Sequence, residues 1–288
     1  MADDTTRVHR YHAEATILSG DLYHPLKQEI KPQTNVKLAE SGGYLSEHAE
    51  PYRLEGIISF EKAYTQVAGN RDHTKPHHGW STLVTSVIEG LNVLEVVTAD
   101  RVVGQIATHH PLEGYVPHVH FLGTRIDNLR VAGHPVKVVF PPRHPYHFDK
   151  PENDGAYTRH PGFLERVKSH FAGIRSAKDV PADLAERYNQ PAPRTENGKE
   201  ILECSLVSQV EFESPAPEFC RGFGHVLHIR DFGKVHLGLL RVESSDFNHQ
   251  GVPKMTLFDL TMLKFEMGCI GGGISSAGST IVNGSTQP

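Results

Sequence analysis

The chain has 288 residues, 38% hydrophobic and 22% charged, which is apolar enough to bury a sizeable core and too apolar for a disordered polymer. Its 29 basic and 34 acidic side chains leave a net charge of −5, so no basic surplus draws it to nucleic acid or an anionic membrane. No run of about 18 apolar residues exists to form a membrane-spanning helix.

The amino-terminal stretch MADDTTRVHRYHAEAT has no apolar core of a secretory signal, which predicts a cytoplasmic location, with export by a non-classical route as the alternative. A strand pattern starts at Tyr11 and ends at Gly20-Asp21 or at Pro25. Residues 26–50 are mostly polar and turn at Ser41-Gly42-Gly43. A second strand pattern covers 52–69. It shares a Tyr-x-x-Glu-x-x-Ile pattern with the first, which hints at duplication. A polar loop then leads to Trp80, the only tryptophan.

Residues 79–140 hold the longest uninterrupted β-type sequence. Short runs of Val, Ile, Leu and Thr are punctuated by Glu-Gly, Ala-Asp, His-His-Pro, Leu-Gly and Ala-Gly-His-Pro. They predict strands at 81–88, 92–99, 101–108, 117–122, 125–131 and 135–140. The connections are too short for crossover helices, so the pairing is antiparallel. Leu83, Val84, Val87 and Ile88 place apolar groups on both faces, as in a strand covered on both sides.

After residue 140 the sequence becomes proline-rich and polar. FLERVKSHFAGI spaces Phe163, Leu164, Val167, Phe171 and Ile174 as one face of a helix. Asp179 before Pro181 reads as the N-cap of a short second helix through Tyr188. From Ile201 the β pattern returns. Leu257, Asp259, Thr261, Leu263 and Phe265 alternate there with Phe258, Leu260, Met262 and Lys264. The final GGGISSAGSTIVNGSTQP is either a flexible tail or a glycine-rich strand that pairs late.

The expected fold is mainly β, an antiparallel β-sandwich or barrel-like core with a small helical insertion; a β-solenoid is the runner-up. Residues 1–140 form the first β half, 141–200 the loop and helical insertion, and 201–288 the second β half. The two halves are expected to complete one core, because the long strands at their ends would otherwise be bare edges.

Histidine is the compositional anomaly, with 20 in the chain. Many titrate near neutrality, so net charge climbs as pH falls from about 7 to 6. His118 and His120 lie two apart, and on a strand both point to one face, as two imidazoles that hold one metal must. Further ligands would come from His77, His78, His109, His110, Asp127, or His144 with His147. Asp127 is also a candidate general base. Zinc, copper or iron suits such a set. The plain alternative is that these histidines line a polar sheet face or solvated turns, in which case no cofactor is expected. Glu89, Glu95, Asp100, Glu113 and Asp127 lie in or near the β core, but spacing selects no catalytic pair among them.

Cys204, Cys220 and Cys269 are widely spaced and form no CxxC pair. Buried reduced thiols are expected, with a Cys204–Cys220 disulfide or a reactive Cys220 beside Arg221 as alternatives. No serine-hydrolase elbow, phosphate loop or repeated β-α-β unit is present.

The run VLEVVTADRVVGQI, followed further along by FLGTRIDNLRVAGHPV, resembles a pattern in bacterial β-rich surface proteins of the "choice-of-anchor" type. In that group a Thr-Ala-Asp strand precedes a segment ending in Gly-x-Pro-Val. The resemblance covers roughly residues 91–138. It implies a non-catalytic structural or surface role and carries over no catalytic residues; that group's export signal and anchor are not expected here. The leading expectation is therefore a structural or interaction protein that self-associates as a homo-oligomer through β surfaces. The alternative is a histidine-ligated β-fold metalloenzyme, a hydrolase or oxidoreductase with its metal on the His118/His120 strand. A third expectation is a small-molecule binder with its pocket under the 141–200 insertion.

Overall fold

The structure, a computed structural model, describes residues 8–24, 27–71, 79–112, 114, 116–140, 150–190, 192–213, 217–268 and 273–287. The first strands are β1 (Val8–Ile17), β2 (Ser19–Leu22), β3 (Gln28–Ile30), β4 (Thr34–Lys37), β5 (Gly43–Ala49), β6 (Tyr52–Leu54), β7 (Ile58–Phe60) and β8 (Lys62–Arg71). Next come β9 (Trp80–Val93), β10 (Val97–His110), β11 (His118–His120), β12 (Arg125–Asp127), β13 (Arg130–Val131) and β14 (His134–Val139). Helices α1 (Pro161–Arg175) and α2 (Ala182–Arg187) precede β15 (Arg194–Glu196), β16 (Lys199–Ser205), β17 (Gln209–Phe212) and β18 (Cys220–Phe223). The last strands are β19 (Val226–Ile229), β20 (Gly233–Phe247), β21 (Pro253–Met267) and β22 (Gly273–Gln287).

Most of the described residues are strand and few are helical, and two large antiparallel sheets pack as a sandwich. One runs β15-β16-β20-β21-β22-β1-β4, with β2, β3, β18 and β19 attached. The other runs β17-β14-β13-β10-β9-β7-β6, with β5, β8, β11 and β12 attached. The glycine-rich end is thus a strand, β22, held between β21 and β1. Alternation drives the packing: along β1, Tyr11, Ala13, Ala15 and Ile17 are buried while their neighbours face outward.

Small residues set the spacing between the sheets. A Cβ on Gly104 would stand 3.0 Å from both Met262 Cγ and Ser86 Oγ and 3.3 Å from the Gly278 carbonyl. The sheets are also tied at their sides. Thr65 Oγ1 donates to Thr34 Oγ1 (3.0 Å), and the Asn35 amide donates to Glu47 Oε2 (3.1 Å), joining β4 to β5 and β8. At the opposite side the Val210 amide donates to the Gly224 carbonyl (2.9 Å).

Several expected boundaries move. Glu89-Gly90 and Ala99-Asp100 are not turns but lie within β9 and β10. Gly90 takes φ +67 without ending the strand. The reversal comes at Leu94 and Glu95, with φ +54 and +57, and Asn92 Oδ1 accepts from the Glu95 amide (2.8 Å). Residues 52–69 are not one strand: a turn between β6 and β7 occupies the second Tyr-x-x-Glu-x-x-Ile, which in β1 is continuous strand, so the two copies differ in structure.

The insertion lies across the β21 sheet. Tyr157 is buried, its hydroxyl donates to the Pro117 carbonyl (2.7 Å), and its ring meets Phe258 edge-on. Pro161 and the His160 side chain, which accepts from the Phe163 amide (3.2 Å), start α1; Phe163, Val167 and Ile174 form its buried face. Asp179 is not the N-cap of α2: the helix starts after Pro181 without a side-chain cap, and Asp179 pairs with Arg221 (2.6 Å). Asp183 bonds Lys234, and Arg187 bonds Glu266 (2.8 Å).

Candidate functional site

The sheet surface beneath α2 is shaped by a local slip in alternation. Gly238, at φ +59, and Met262 drop out of the β20–β21 pairing between Leu237↔Leu263 and Leu239↔Thr261. Met262 and Leu263 are both buried in succession, and the phase then changes. As a result Asp259, Thr261, Lys264 and Glu266 of β21 join His236, Leu239 and Arg241 of β20 on the face toward the insertion.

Two adjoining cavities occupy this face. One, of about 470 Å³, is lined from the insertion by Phe171, Asp183, Glu186, Arg187, Tyr188, Gln190, Ala192 and Arg194. Ile201, Glu203, Cys204, His225 and Leu239 line it from the sheet. The other, of about 220 Å³, shares Arg187, Glu203, Cys204 and Leu239 and adds Leu240, Arg241, Asp259, Thr261 and Lys264. Together they make one groove of a size suited to a small organic ligand.

A chain of side-chain contacts passes through its wall, where Tyr188 and His225 line the cavity, into the packing behind it. His225 follows Gly224 in the tight turn between β18 and β19 and is fully buried. Its Nδ1 lies 2.9 Å from His170 Nε2, and its Nε2 lies 2.7 Å from the Tyr188 hydroxyl. That hydroxyl is 3.5 Å from His236 Nδ1, and His236 Nε2 is 3.2 Å from Glu266 Oε2. The last approach is off the N–H axis, so it is chiefly electrostatic.

The charge of Glu266 favours one polarity of the chain. Arg187 (2.8 Å) and Lys264 (3.2 Å) hold its carboxylate, which can only accept. We therefore assign the His236 proton to Nε2, on the side of this anion, which leaves Nδ1 to accept from Tyr188. With that assignment the phenol oxygen accepts from His225 Nε2–H, and His225 Nδ1 accepts from His170 Nε2–H. His170 is the half-buried member nearest solvent.

The surroundings perturb most of these groups. Burial, then the nearby His170, His236 and Arg187, push His225 well below its ordinary value. Burial lowers His170, and lowers His236 despite Glu266. Burial raises the Tyr188 phenol, keeping it protonated. His236, Arg187 and Lys264 hold Glu266 far below the usual carboxylate range. Burial raises Asp259 to about 6 against the pull of Arg241. Burial would also raise Glu203, but the hydrogen bond from Arg194 (2.8 Å) outweighs it. Such a concentration of shifted groups in and behind one groove makes it the candidate functional site.

The structure places the sequence candidates elsewhere. His118 and His120 lie on the outer face of β11, with Val119 in the core between them. His109 is the cross-strand neighbour of His118, and its Nδ1 lies 3.1 Å from Ser81 Oγ. Burial lowers His118, with Lys150, His109 and His120 adding to the effect. His110 is on the opposite face, buried, with its ring 4.7 Å from His9, which stacks on Trp80. Asp127 pairs with Arg125 (3.0 Å). Its partner on β10 is Arg101, whereas that of His120 is Ala107, six residues or about 20 Å along the strand. His77, His78, His144, His147, Glu113 and Cys269 lie outside the described residues. Among the described residues no group of three or more His, Cys, Asp or Glu is arranged to hold a metal ion. Cys204 and Cys220 are free, so no disulfide joins them. Burial pushes both thiols up to about 12, the reverse of activation by Arg221.

Fold and groove together define an antiparallel β-sandwich that carries a helical cover over one sheet face. The chain belongs to a family described as Domain of unknown function (DUF8256), whose model matches residues 9–243. That span includes the whole insertion, Tyr188, His225 and His236, and leaves β21 with Glu266 outside. No curated protein and no solved structure matches the chain.

Proposed function

We propose that the protein binds a small polar organic molecule in the groove between α2 and the β20–β21 surface. The observation that carries this reading is the 470 Å³ cavity covered by the insertion, with Tyr188 and the buried His225 in its wall. A covered concavity with a few convergent polar groups is the usual form of a ligand site. A thermal-shift screen of small polar metabolites tests it, with a Leu239→Trp variant that fills both compartments. A ligand at about 100 times its Kd stabilises by about 2.7 kcal/mol, a rise of several degrees. That rise is expected in the native chain and absent in the variant. Equal shifts in both, or none in the native chain, would count against the groove.

A second reading, self-association, is favoured by β5. Six of its seven residues are exposed, including Tyr44 at 62% and Leu45 at 46%. Sedimentation of the native chain against Leu45→Lys tests it: a native dimer that the variant dissociates supports this reading, and a native monomer removes it.

A further inference from the structure

Four cations line the groove, and Arg187 lines both of its compartments. Arg187, Arg194, Arg241 and Lys264 stand in its walls. Glu266, Glu203, Glu196 and Glu243 are their ion-pair partners, and Asp183 and Glu186 in the larger cavity and Asp259 in the smaller also line the groove. Arg187, with five N–H groups, spends one of them on Glu266 Oε1. Forked guanidinium donors lining a cavity suit a carboxylate or phosphate.

Beside these cations sit three imidazoles with a free place for a proton. In the polarity favoured by Glu266, each of His170, His225 and His236 carries one N–H, and the nearest basic nitrogen to solvent is on His170. Burial lowers all three imidazoles, with Arg187 adding to the effect on His225 and Arg187 and Lys264 on His236, so a positive charge is disfavoured there. An anion placed against Arg187 and Tyr188 reverses that balance, because its charge favours imidazolium on the same wall.

Resting on the ligand-binding reading above, we infer that the groove takes a small organic or inorganic oxyanion and takes up one proton with it, the proton lodging on the His170–His225–His236 chain. Access is through His170, and the hydrogen bonds pass the proton inward: His170 gives Nε2–H to His225 Nδ1 as it gains a proton at Nδ1. The charged and titratable groups facing the cluster are Tyr188 and Arg187 from the insertion, and Lys264 and Glu266 from β21. Asp183 and Lys234 pair at its edge. Asp259 in the smaller compartment, which burial raises to about 6, and Glu186 and Glu203 in the larger are the carboxylates of the lining that an incoming anion could protonate instead.

The test is calorimetric titration of the full chain with succinate and with inorganic phosphate, each in two buffers of contrasting ionisation heat. The same titrations are run on Asp259→Asn, and long-range ¹H–¹⁵N spectra of the histidine rings are recorded with and without the probe. The expected result is uptake of about one proton per bound anion in both proteins, and one imidazole that becomes doubly protonated. Affinity then falls about tenfold for each unit that pH rises between the titration ranges of the free and the bound cluster. Which of succinate or phosphate binds more tightly separates a carboxylate from a phosphate ligand. Binding without proton uptake overturns the inference and leaves the groove as a ligand site. Uptake that disappears in Asp259→Asn overturns the histidine assignment. Failure of both probes to bind overturns the oxyanion inference, while a neutral compound that shifts the native chain but not Leu239→Trp keeps the ligand reading.

Discussion

A Cβ on Gly224 would stand 2.9 Å from His170 Nε2, so the bare backbone at that turn is what lets α1 bring His170 to His225. The same atom would meet Ile174 Cγ1 at 2.9 Å, and Gly224 holds φ +57, a conformation that side chains disfavour. Gly224→Ala is therefore expected to cost about 1–3 kcal/mol through backbone strain and a displaced helix. Urea denaturation measures the cost. Loss of the His170–His225 hydrogen bond, read from the ring-nitrogen shifts, should accompany it. An alanine variant with native stability and native shifts would show that the close approach is unimportant.

Tyr188→Phe keeps the ring, which packs edge-on against Phe171, and removes the hydroxyl. His225 Nε2 then points into a buried space without its 2.7 Å partner. An unsatisfied buried donor costs about 1–3 kcal/mol. The expected result is a lower denaturation midpoint with unchanged slope, since the surface exposed on unfolding stays the same. A midpoint within error of the native value would mean that water replaces the phenol.

The β class was legible because alternation and turn residues are local signals, and α1 because Phe163, Val167 and Ile174 repeat at helical spacing. Strand ends were less legible. Gly90 and Asp100 resemble turn residues, yet both sit inside strands whose neighbours on each side supply the pairing. The β alternation read along residues 257–265 slips at Met262 and Leu263, and that slip, not visible in the apolar pattern, turns Lys264 and Glu266 toward the groove. The groove itself was hidden by distance along the chain. His170, Tyr188, His225, His236 and Glu266 come from five separate elements or turns, and tertiary packing alone brings them together. The HxH pair at His118 and His120 stood out because it is local, and its shared face follows from strand geometry alone.

Thiol chemistry offers a quick check of the core. Cys204 and Cys220 are 7% and 1% exposed, and burial pushes each thiol up to about 12. At about pH 8 neither should carry enough thiolate to react. Alkylation of the native protein followed by peptide mapping should leave both unmodified, and both should react in urea. Rapid native labelling of Cys204 would mean that its thiol is reached from the groove and is not held protonated by burial.

The pH dependence of stability should be led by the buried histidines, and its sign follows from their direction. His9, His170, His225 and His236 all have folded values below the ordinary one, His9 at about 4. The unfolded chain binds protons at these positions first, so their contribution is fully present above about pH 6.5 and is lost as pH falls toward the folded values. For His9 alone, stacked on Trp80 and 7% exposed, the loss from pH 6.5 to 5 is about 2 kcal/mol. Glu266 acts lower down: its depressed value keeps its contribution intact until pH drops below the ordinary carboxylate range, where protonation releases Arg187 and with it α2. Denaturation midpoints should therefore fall steadily from pH 7 to 5. His9→Phe, which preserves the stack without a titrating ring, should flatten part of that slope. A flat profile between pH 7 and 5 would show that these imidazoles are not held neutral in the folded state, and would remove the basis for proton uptake in the groove as well.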